Sequence, residues 1–157
     1  MEEITIQVDG ATAGTSHVGI AAVARSANGY WLGWQSRRLG RMTNNEAEYL
    51  AALLGLELAG ELKARRVVIV TDSDVVVRQM QGQSRVLSKR LQALHKETVE
   101  AAGYFAGVTF RHVPREENRL ADALAAEALA GRTVQMPPQP SASPVSFLSS
   151  LRWRSGK

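Results

Sequence analysis

The stretch RVVIVTD, Arg66–Asp72, decides the fold class. Its four consecutive β-branched residues, Val67–Val70, lack polar alternation, which is typical of a strand covered on both faces. Before it, residues 44–64 carry apolar side chains at the 3.6-residue period of a helix, and Leu53 and Leu56 add apolar surface to other sides of that helix. A buried helix followed by a buried strand predicts an α/β protein.

Three strands are predicted on the N-terminal side of this helix. Alternation in ITIQV, residues 4–8, predicts a strand that ends at Asp9 and Gly10. Residues 18–25 and 30–39 form two more strand-like runs, and Asn28-Gly29 between them is a typical hairpin turn. The chain therefore begins with an antiparallel arrangement.

The C-terminal side of the central strand predicts three helices and one strand. Residues 73–81 and 85–105 have helical patterns with a break at Gly82, residues 107–114 form a strand ended by Pro114, and residues 118–130 form a helix ended by Gly131. The predicted order is β-β-β-α-β-α-α-β-α, a five-stranded mixed sheet with helices on both faces.

The composition changes after residue 131. Four of the five prolines lie between Met136 and Pro144, among serines, and the chain then continues into the basic and apolar segment SFLSSLRWRSGK. We therefore predict a catalytic domain over residues 1–131 and a Pro/Ser-rich linker with a basic tail over 132–157. The net charge of +4 comes entirely from this tail region, which is expected to contact nucleic acid, to bind a partner protein, or to have no function.

Composition excludes several classes of protein. The chain of 157 residues has no cysteine, so disulfides and thiolate metal sites are impossible, which fits a reducing cytoplasm. No apolar run reaches the roughly 20 residues of a membrane span, and the acidic, alternating start MEEITIQVDG does not resemble a signal peptide. Nothing in the pattern requires a dimer, so a cytoplasmic monomer without membrane contact is expected.

Four acidic residues lie at the predicted ends of elements: Asp9, Glu48, Asp72 and Asp122. If the first and fourth strands are neighbours, about 4.8 Å apart, Asp9 and Asp72 come close together, and their repulsion is relieved by a divalent cation. Oxygen ligands without cysteine or a histidine pair favour Mg²⁺ or Mn²⁺ over Zn²⁺. Such a cluster with two ions is suited to in-line phosphoryl transfer from water.

Each acid also has a purely structural interpretation. Asp9 before Gly10 is typical of a turn, and Asp72 is a possible helix N-cap, although Ser73 competes for that role. Asp122 has the position of a residue that complements a helix dipole. It is the combination of all four that favours a metal site.

The segment TNNEAEY, Thr43–Tyr49, contains two glutamates with different predicted roles. Thr43 and Glu46 match the capping box S/T-x-x-E, in which each side chain binds the other residue's backbone N–H. Glu48 has no such structural role and lies beside the apolar stripe, about 100° from Ala47 around the helix, where a carboxylate needs a partner. We therefore assign Glu48 to the chemistry.

Four motifs in this order resemble type 1 ribonuclease H: VDGA after the first strand, TNNEAE at the first helix, VTDSD after the fourth strand and VPREENRLADALA into the last helix. The resemblance covers residues 1–131 and is closest to the compact branch that lacks the basic insertion. It implies the ribonuclease H-like fold and hydrolysis of the RNA strand of RNA/DNA hybrids, with 3′-hydroxyl and 5′-phosphate ends. It also implies two Mg²⁺ or Mn²⁺ ions, bridged by Asp9 and held further by Glu48, Asp72 and Asp122.

The resemblance further implies substrate contacts from Thr43, Asn44 and Asn45, since side chains that read the 2′-hydroxyl distinguish RNA from DNA. Arg115 is a candidate for substrate contact or for assisting the reaction. His112 has the spacing of an auxiliary histidine, but it continues the strand pattern of Val108 and Phe110, which favours packing. His17 and His95 receive no role. The basic side chains of Arg85, Lys89 and Arg90 are expected either to contact the DNA strand or to form a solvated helix face.

Two other functions stay open on the sequence alone. One is a binding module for nucleic acid that kept the fold but not the activity, and the other is a nuclease of the same fold acting on double-stranded RNA or as a resolvase. The four acids favour an enzyme, and the TNNEAE motif favours the hybrid as its substrate.

Overall fold

The computed structural model describes residues 3–13, 16–132 and 136–139. Its strands are β1 (Glu3–Thr12), β2 (His17–Arg25), β3 (Trp31–Gly40), β4 (Arg66–Thr71) and β5 (Gly107–His112). Its helices are α1 (Asn44–Glu61), α2 (Asp74–Met80), α3 (Lys89–Ala102) and α4 (Arg119–Leu129), with a 3₁₀ turn at Arg115–Glu117 before α4. The predicted order of elements and the mixed five-stranded sheet are confirmed.

The strands lie in the order β3-β2-β1-β4-β5, so β1 is in the middle of the sheet. It pairs antiparallel with β2 and parallel with β4, and β4 pairs parallel with β5. The last pair of the ladder between β1 and β4 joins Gln7 to Val70. Asp9 and Asp72 each follow two residues later, which places them together at the same edge.

Strand β1 is longer than the sequence indicates. It continues through Asp9 and Gly10 to Thr12, because β2 offers partners as far as Val18 after the pairing with β4 has ended. Interpreting Asp9-Gly10 as a turn is therefore wrong, since both residues pair within the sheet. The hairpin turn at Asn28-Gly29 is present, with Gly29 at a φ of 87°.

Helices cover both faces of the sheet. Helices α1, α2 and α3 pack on the face that carries Ile6 and Val8, while Leu124 of α4 packs on the opposite face against Val23. The approach of α4 is close, because a Cβ at Gly19 would lie 2.1 Å from the backbone oxygen of Ala125. Alternation along β1 therefore directs Ile6 and Val8 towards α1, and Gln7 and Asp9 towards α4.

Helix α3 is shorter at both ends than the sequence predicts. Helix α3 begins at Lys89 rather than near residue 85, because the Ser88 side chain caps it by accepting the Leu91 N–H. It ends at Ala102 rather than at residue 105. Residues 81–88 form an irregular connection in which Gly82 has a φ of 76°. No additional element lies between the two helices in this described stretch.

Part of the predicted linker contacts the sheet. The side-chain amide of Gln139 donates to the Trp31 carbonyl over 2.9 Å and accepts from the Trp31 N–H over 2.7 Å, while the Trp31 indole N–H donates to Pro138. Of the linker and tail predicted over 132–157, residues 133–135 and 140–157 lie outside the described residues, so the division into a domain and a tail stays a prediction. None of the helices in the described ranges is long and apolar enough to cross a membrane.

Candidate active site

Three carboxylates meet where β1 and β4 diverge. Asp9 is a buried residue of β1, Glu48 lies in the second turn of α1, and Asp72 directly follows β4. One oxygen atom of each residue lies within 4.8 Å of those of the other two. The proximity predicted from neighbouring strands is confirmed.

Glu48 reaches this position through the start of α1. The capping box is present as predicted, with the Thr43 N–H donating to Glu46 over 2.8 Å and the Glu46 N–H donating to the Thr43 hydroxyl over 3.2 Å. The Gly10 N–H donates to the Glu48 carboxylate over 3.0 Å. Gly10 is required here, since a Cβ would lie 2.9 Å from the Cβ of Ala47.

Asp122 approaches the group from the other face of the sheet. It lies in the first turn of α4, and its side chain lines the same cavity as Asp9 and contributes to the raised pKa of that carboxyl. It is not one of the three residues whose oxygens share the 4.8 Å limit. Arg115, on the 3₁₀ turn, lies 3.7 Å from the Asp122 carboxylate.

Burial, together with the neighbouring negative charge, raises the pKa of two of these carboxyl groups. Burial, followed by the charge of Glu48 and the contact with Asp122, raises the pKa of Asp9 to about 9. Burial, followed by the charge of Asp72, raises the pKa of Glu48 to about 7, although the hydrogen bond from Gly10 acts in the opposite direction. The folded chain thus penalises the ionised form of both carboxyls.

This penalty is what a bound cation removes. The donors are carboxylate oxygens from separate elements, which match the ligands of Mg²⁺ and Mn²⁺ rather than those of softer metals. The residues present therefore fit a site for hard divalent cations.

The acids line an open cavity of about 640 Å³. At its rim the Thr12 hydroxyl donates to the side-chain oxygen of Asn44, joining the end of β1 to the start of α1. The cavity is lined by Asp9, Gly10, Ala11, Thr12, Asn44, Glu48, Asp72, His112, Val113, Pro114, Arg115, Asp122, Ala126 and Leu129.

The other predicted site residues divide into two groups. Asn44 and Arg115 line the cavity, whereas Thr43 and Asn45 flank Asn44 without lining it. The packing role favoured for His112 is wrong, because its side chain is exposed and lines the cavity. The alternating pattern continues to the end of β5, but the helix layer that covers Phe110 does not extend over His112.

The basic side chains at the start of α3 are exposed, as both interpretations of them require. Arg90 makes an ion pair of 3.2 Å with Glu46, which links α3 to the start of α1.

Sequence reasoning missed the contribution of Thr12. The predicted first strand ends at Asp9 and Gly10, which leaves Thr12 in a loop of unassigned role. The alternation in ITIQV stops at Asp9, and it is the pairing of β1 with β2 as far as Val18 that places Thr12 near the acids.

Comparisons with known proteins show which family this chain resembles. Residues 7–128 match the family model described as reverse transcriptase-like. Ribonuclease H1 from the archaeon Halobacterium salinarum has a solved structure that is 31% identical, with a TM-score of 0.79, over 82% of this chain and 98% of that one. The solved LC11-RNase H1, in complex with an RNA/DNA hybrid, is also 31% identical, with a TM-score of 0.77 over 82% of this chain and 97% of that one.

A curated relative is the bifunctional protein Rv2228c of Mycobacterium tuberculosis, 33% identical over 129 residues. These residues are 81% of this chain but only 35% of the relative, so the chain spans about a third of the length of that protein. The match over nearly the whole of an archaeal ribonuclease H1 shows the family. The chain belongs to the type 1 ribonuclease H family.

Proposed function

We propose that this protein is an endoribonuclease that hydrolyses the RNA strand of RNA/DNA hybrids with two divalent metal ions, leaving 3′-hydroxyl and 5′-phosphate ends. The observation that supports this most directly is the meeting of Asp9, Glu48 and Asp72 within 4.8 Å, in a cavity also lined by Asp122. A ribonuclease H1 of the same fold binds such a hybrid in its solved complex.

Four carboxylates of this chain would hold the ions: Asp9, Glu48, Asp72 and Asp122. The chemistry that bound divalent ions supply in such a site is activation of water and stabilisation of charge on the phosphodiester. The chain's own contribution is placement, because Asp9 and Asp72 leave adjacent strands and Glu48 is held by the Gly10 N–H.

Selection of the RNA strand is assigned to the rim of the cavity. The hydrogen bond from Thr12 occupies the side-chain oxygen of Asn44, so the donors that Asn44 offers to a substrate are its amide N–H groups. These suit a ribose 2′-hydroxyl, which DNA lacks. Arg115 is on the same cavity and carries the positive charge expected of a phosphate contact.

The test is cleavage of an end-labelled RNA/DNA hybrid with Mg²⁺ or Mn²⁺, with double-stranded RNA and double-stranded DNA as parallel substrates. We expect cleavage of the RNA strand in the hybrid only, and loss of at least a hundredfold in rate for Asp72→Asn. Asp74→Asn is the matched control, because Asp74 is an exposed acid two residues away that pairs with Arg78 outside the cavity.

Two results would overturn the proposal. Wild-type protein that binds the hybrid but leaves it intact with either ion is a binding module. Equal cleavage by Asp72→Asn and Asp74→Asn would show that the acid cluster does not carry the reaction.

A further inference from the structure

A glutamine is buried in the middle strand beside the acids. Gln7 is 8% exposed, and its amide donates to the Glu117 carbonyl over 3.1 Å and approaches the Asn118 side-chain oxygen at 3.5 Å. Its own side-chain oxygen accepts no hydrogen bond from the residues that the structure describes. An unpartnered buried oxygen disfavours folding, so an apolar side chain at this position would serve stability at least as well.

Asn118 completes this contact from the other side. It is fully buried, and its side-chain amide donates to the Val8 carbonyl over 2.9 Å. Asn118 directly precedes α4, and its carbonyl accepts the Asp122 N–H over 3.1 Å. The two amides therefore join β1 to the first turn of α4, across 111 residues of sequence.

The Gln7–Asn118 contact lies close to the acids Asp9 and Asp122. Gln7 and Asp9 are two residues apart on one face of β1, a separation of about 6.7 Å. Asn118 and Asp122 are four residues apart at the start of α4, a rise of about 6 Å. The spacings match, so with Asn118 opposite Gln7, Asp122 lies opposite Asp9 in the cavity that both acids line.

Hydrogen bonds add to apolar packing in fixing this register. Leu124 and Ala125 share an apolar cluster with Ala21 and Val23, and apolar burial holds α4 on the sheet with less directional preference than hydrogen bonds have. Because Asp122 lies in the first turn of α4, any displacement of the helix along the sheet moves Asp122 relative to Asp9. The hydrogen bonds of the amide pair are directional and resist that displacement.

We propose that Gln7 and Asn118 are positioning residues that hold Asp122 opposite Asp9, so that the helix-borne ligand completes the metal site. This inference rests on the proposed function for its effect on turnover, but its effect on metal binding does not depend on the substrate.

The experiment compares wild type with Gln7→Leu and Gln7→Met, neither of which has an amide donor. Mn²⁺ affinity is measured by titration calorimetry, the free energy of unfolding by urea, and kcat and KM on the labelled hybrid. We expect Mn²⁺ affinity to fall at least fivefold and kcat at least tenfold, with KM changed by less than twofold. We expect stability in the absence of metal to be equal to or above that of wild type.

Gln35→Leu is the matched control, because Gln35 is also a buried sheet glutamine, but its amide donates to Glu61 away from the cavity. It is expected to keep full Mn²⁺ affinity and kcat. Wild-type Mn²⁺ affinity and kcat in folded Gln7→Leu and Gln7→Met would overturn the inference. Weakened Mn²⁺ binding in these variants, alongside a wild type that cleaves no hybrid, would support the inference and refute the proposed function.

Discussion

Gly10 and Glu48 are joined by a hydrogen bond of 3.0 Å from the backbone of the middle strand to a carboxylate of α1. The bond forms only because α1 approaches β1 closely at Ala47, which leaves no room for a side chain at position 10. One glycine therefore determines both the distance between the two elements and the position of an acid in the site.

We expect Gly10→Ala to destabilise the protein by about 1–3 kcal/mol and to reduce hybrid cleavage, because the added methyl group forces Ala47 and Glu48 away from β1. Urea unfolding and the cleavage assay measure the two effects. Gly60→Ala is the control, since a Cβ at Gly60 meets nothing within 4 Å, and alanine favours the helix by about 0.5–1 kcal/mol. Equal behaviour of the two variants would contradict the prediction.

Substitution by glutamine is expected to affect turnover very differently at the first two glutamates of α1. Glu46→Gln retains a side chain that can complete the capping box, so little change in stability or turnover is expected. Glu48→Gln removes a carboxylate from the cluster, so turnover is expected to fall at least a hundredfold. Its metal-free stability at pH 8 is expected to rise, because burial already disfavours the ionised form of Glu48. Turnover lost in Glu46→Gln and kept in Glu48→Gln would reverse the assignment.

The metal-free protein is expected to lose stability from these two groups as the pH rises from about 4 to about 9. The pKa of Asp9 is raised from 3.8 to about 9 and that of Glu48 from 4.5 to about 7, so in this window the folded state holds protons that the unfolded state releases. A folded state that binds more protons is weakened by rising pH. Urea unfolding in EDTA at several pH values measures the slope.

Asp9→Asn is the control for this pH dependence and is expected to flatten most of the slope, since asparagine does not titrate. Saturating Mg²⁺ is expected to oppose the fall, because the bound cation favours the ionised carboxylates and binds the folded state alone. A slope unchanged by Asp9→Asn would show that the buried carboxyl is not its source.

His112→Ala is expected to change the free energy of unfolding by less than about 0.5 kcal/mol, because the side chain is exposed. Its position on the cavity predicts a lower kcat on the hybrid with no loss of fold. Phe110→Ala is the comparison on the same strand and is expected to destabilise by about 3–5 kcal/mol, since Phe110 is buried. A large loss of stability in His112→Ala would restore a packing role.

Truncation after Gly131 is expected to lower the melting temperature, whereas truncation after Gln139 is expected to leave it unchanged. Only the first deletion removes the hydrogen bonds between Gln139 and Trp31. Thermal unfolding distinguishes the two deletions, and Gln139→Ala in the full chain separates this contact from other effects. Salt dependence of hybrid binding, compared between the full chain and the truncation after Gln139, then tests a role of the basic tail in contacting phosphates.

Local patterns were sufficient for much of the fold and for part of the site. The apolar run before Asp72 predicts a central strand, and the capping-box motif distinguishes Glu46 from Glu48; both features are present in the structure. Both inferences depend only on residues that are close together in the sequence. The proximity of Asp9 and Asp72 needed only one further assumption, that their strands are neighbours.

Where prediction failed, distant parts of the chain decided the outcome. Asp9-Gly10 has the local chemistry of a turn, but pairing with β2 extends the strand through it. His112 continues the alternating pattern of β5, but the helices that cover Phe110 do not cover His112, which is exposed. The contact between Gln7 and Asn118 spans 111 residues, and no local pattern encodes it.

The pairing of Gln139 with Trp31 has a consequence for how these molecules behave in concentrated solution. Strand β3 is an outer strand, and the exposed backbone of an outer strand can recruit a strand from another molecule and begin aggregation. The glutamine amide occupies both the donor and the acceptor of Trp31, and the neighbouring prolines have no N–H with which to extend a ladder. The Gln139 side chain thus occupies one end of the exposed edge of β3, where a sixth strand could otherwise pair.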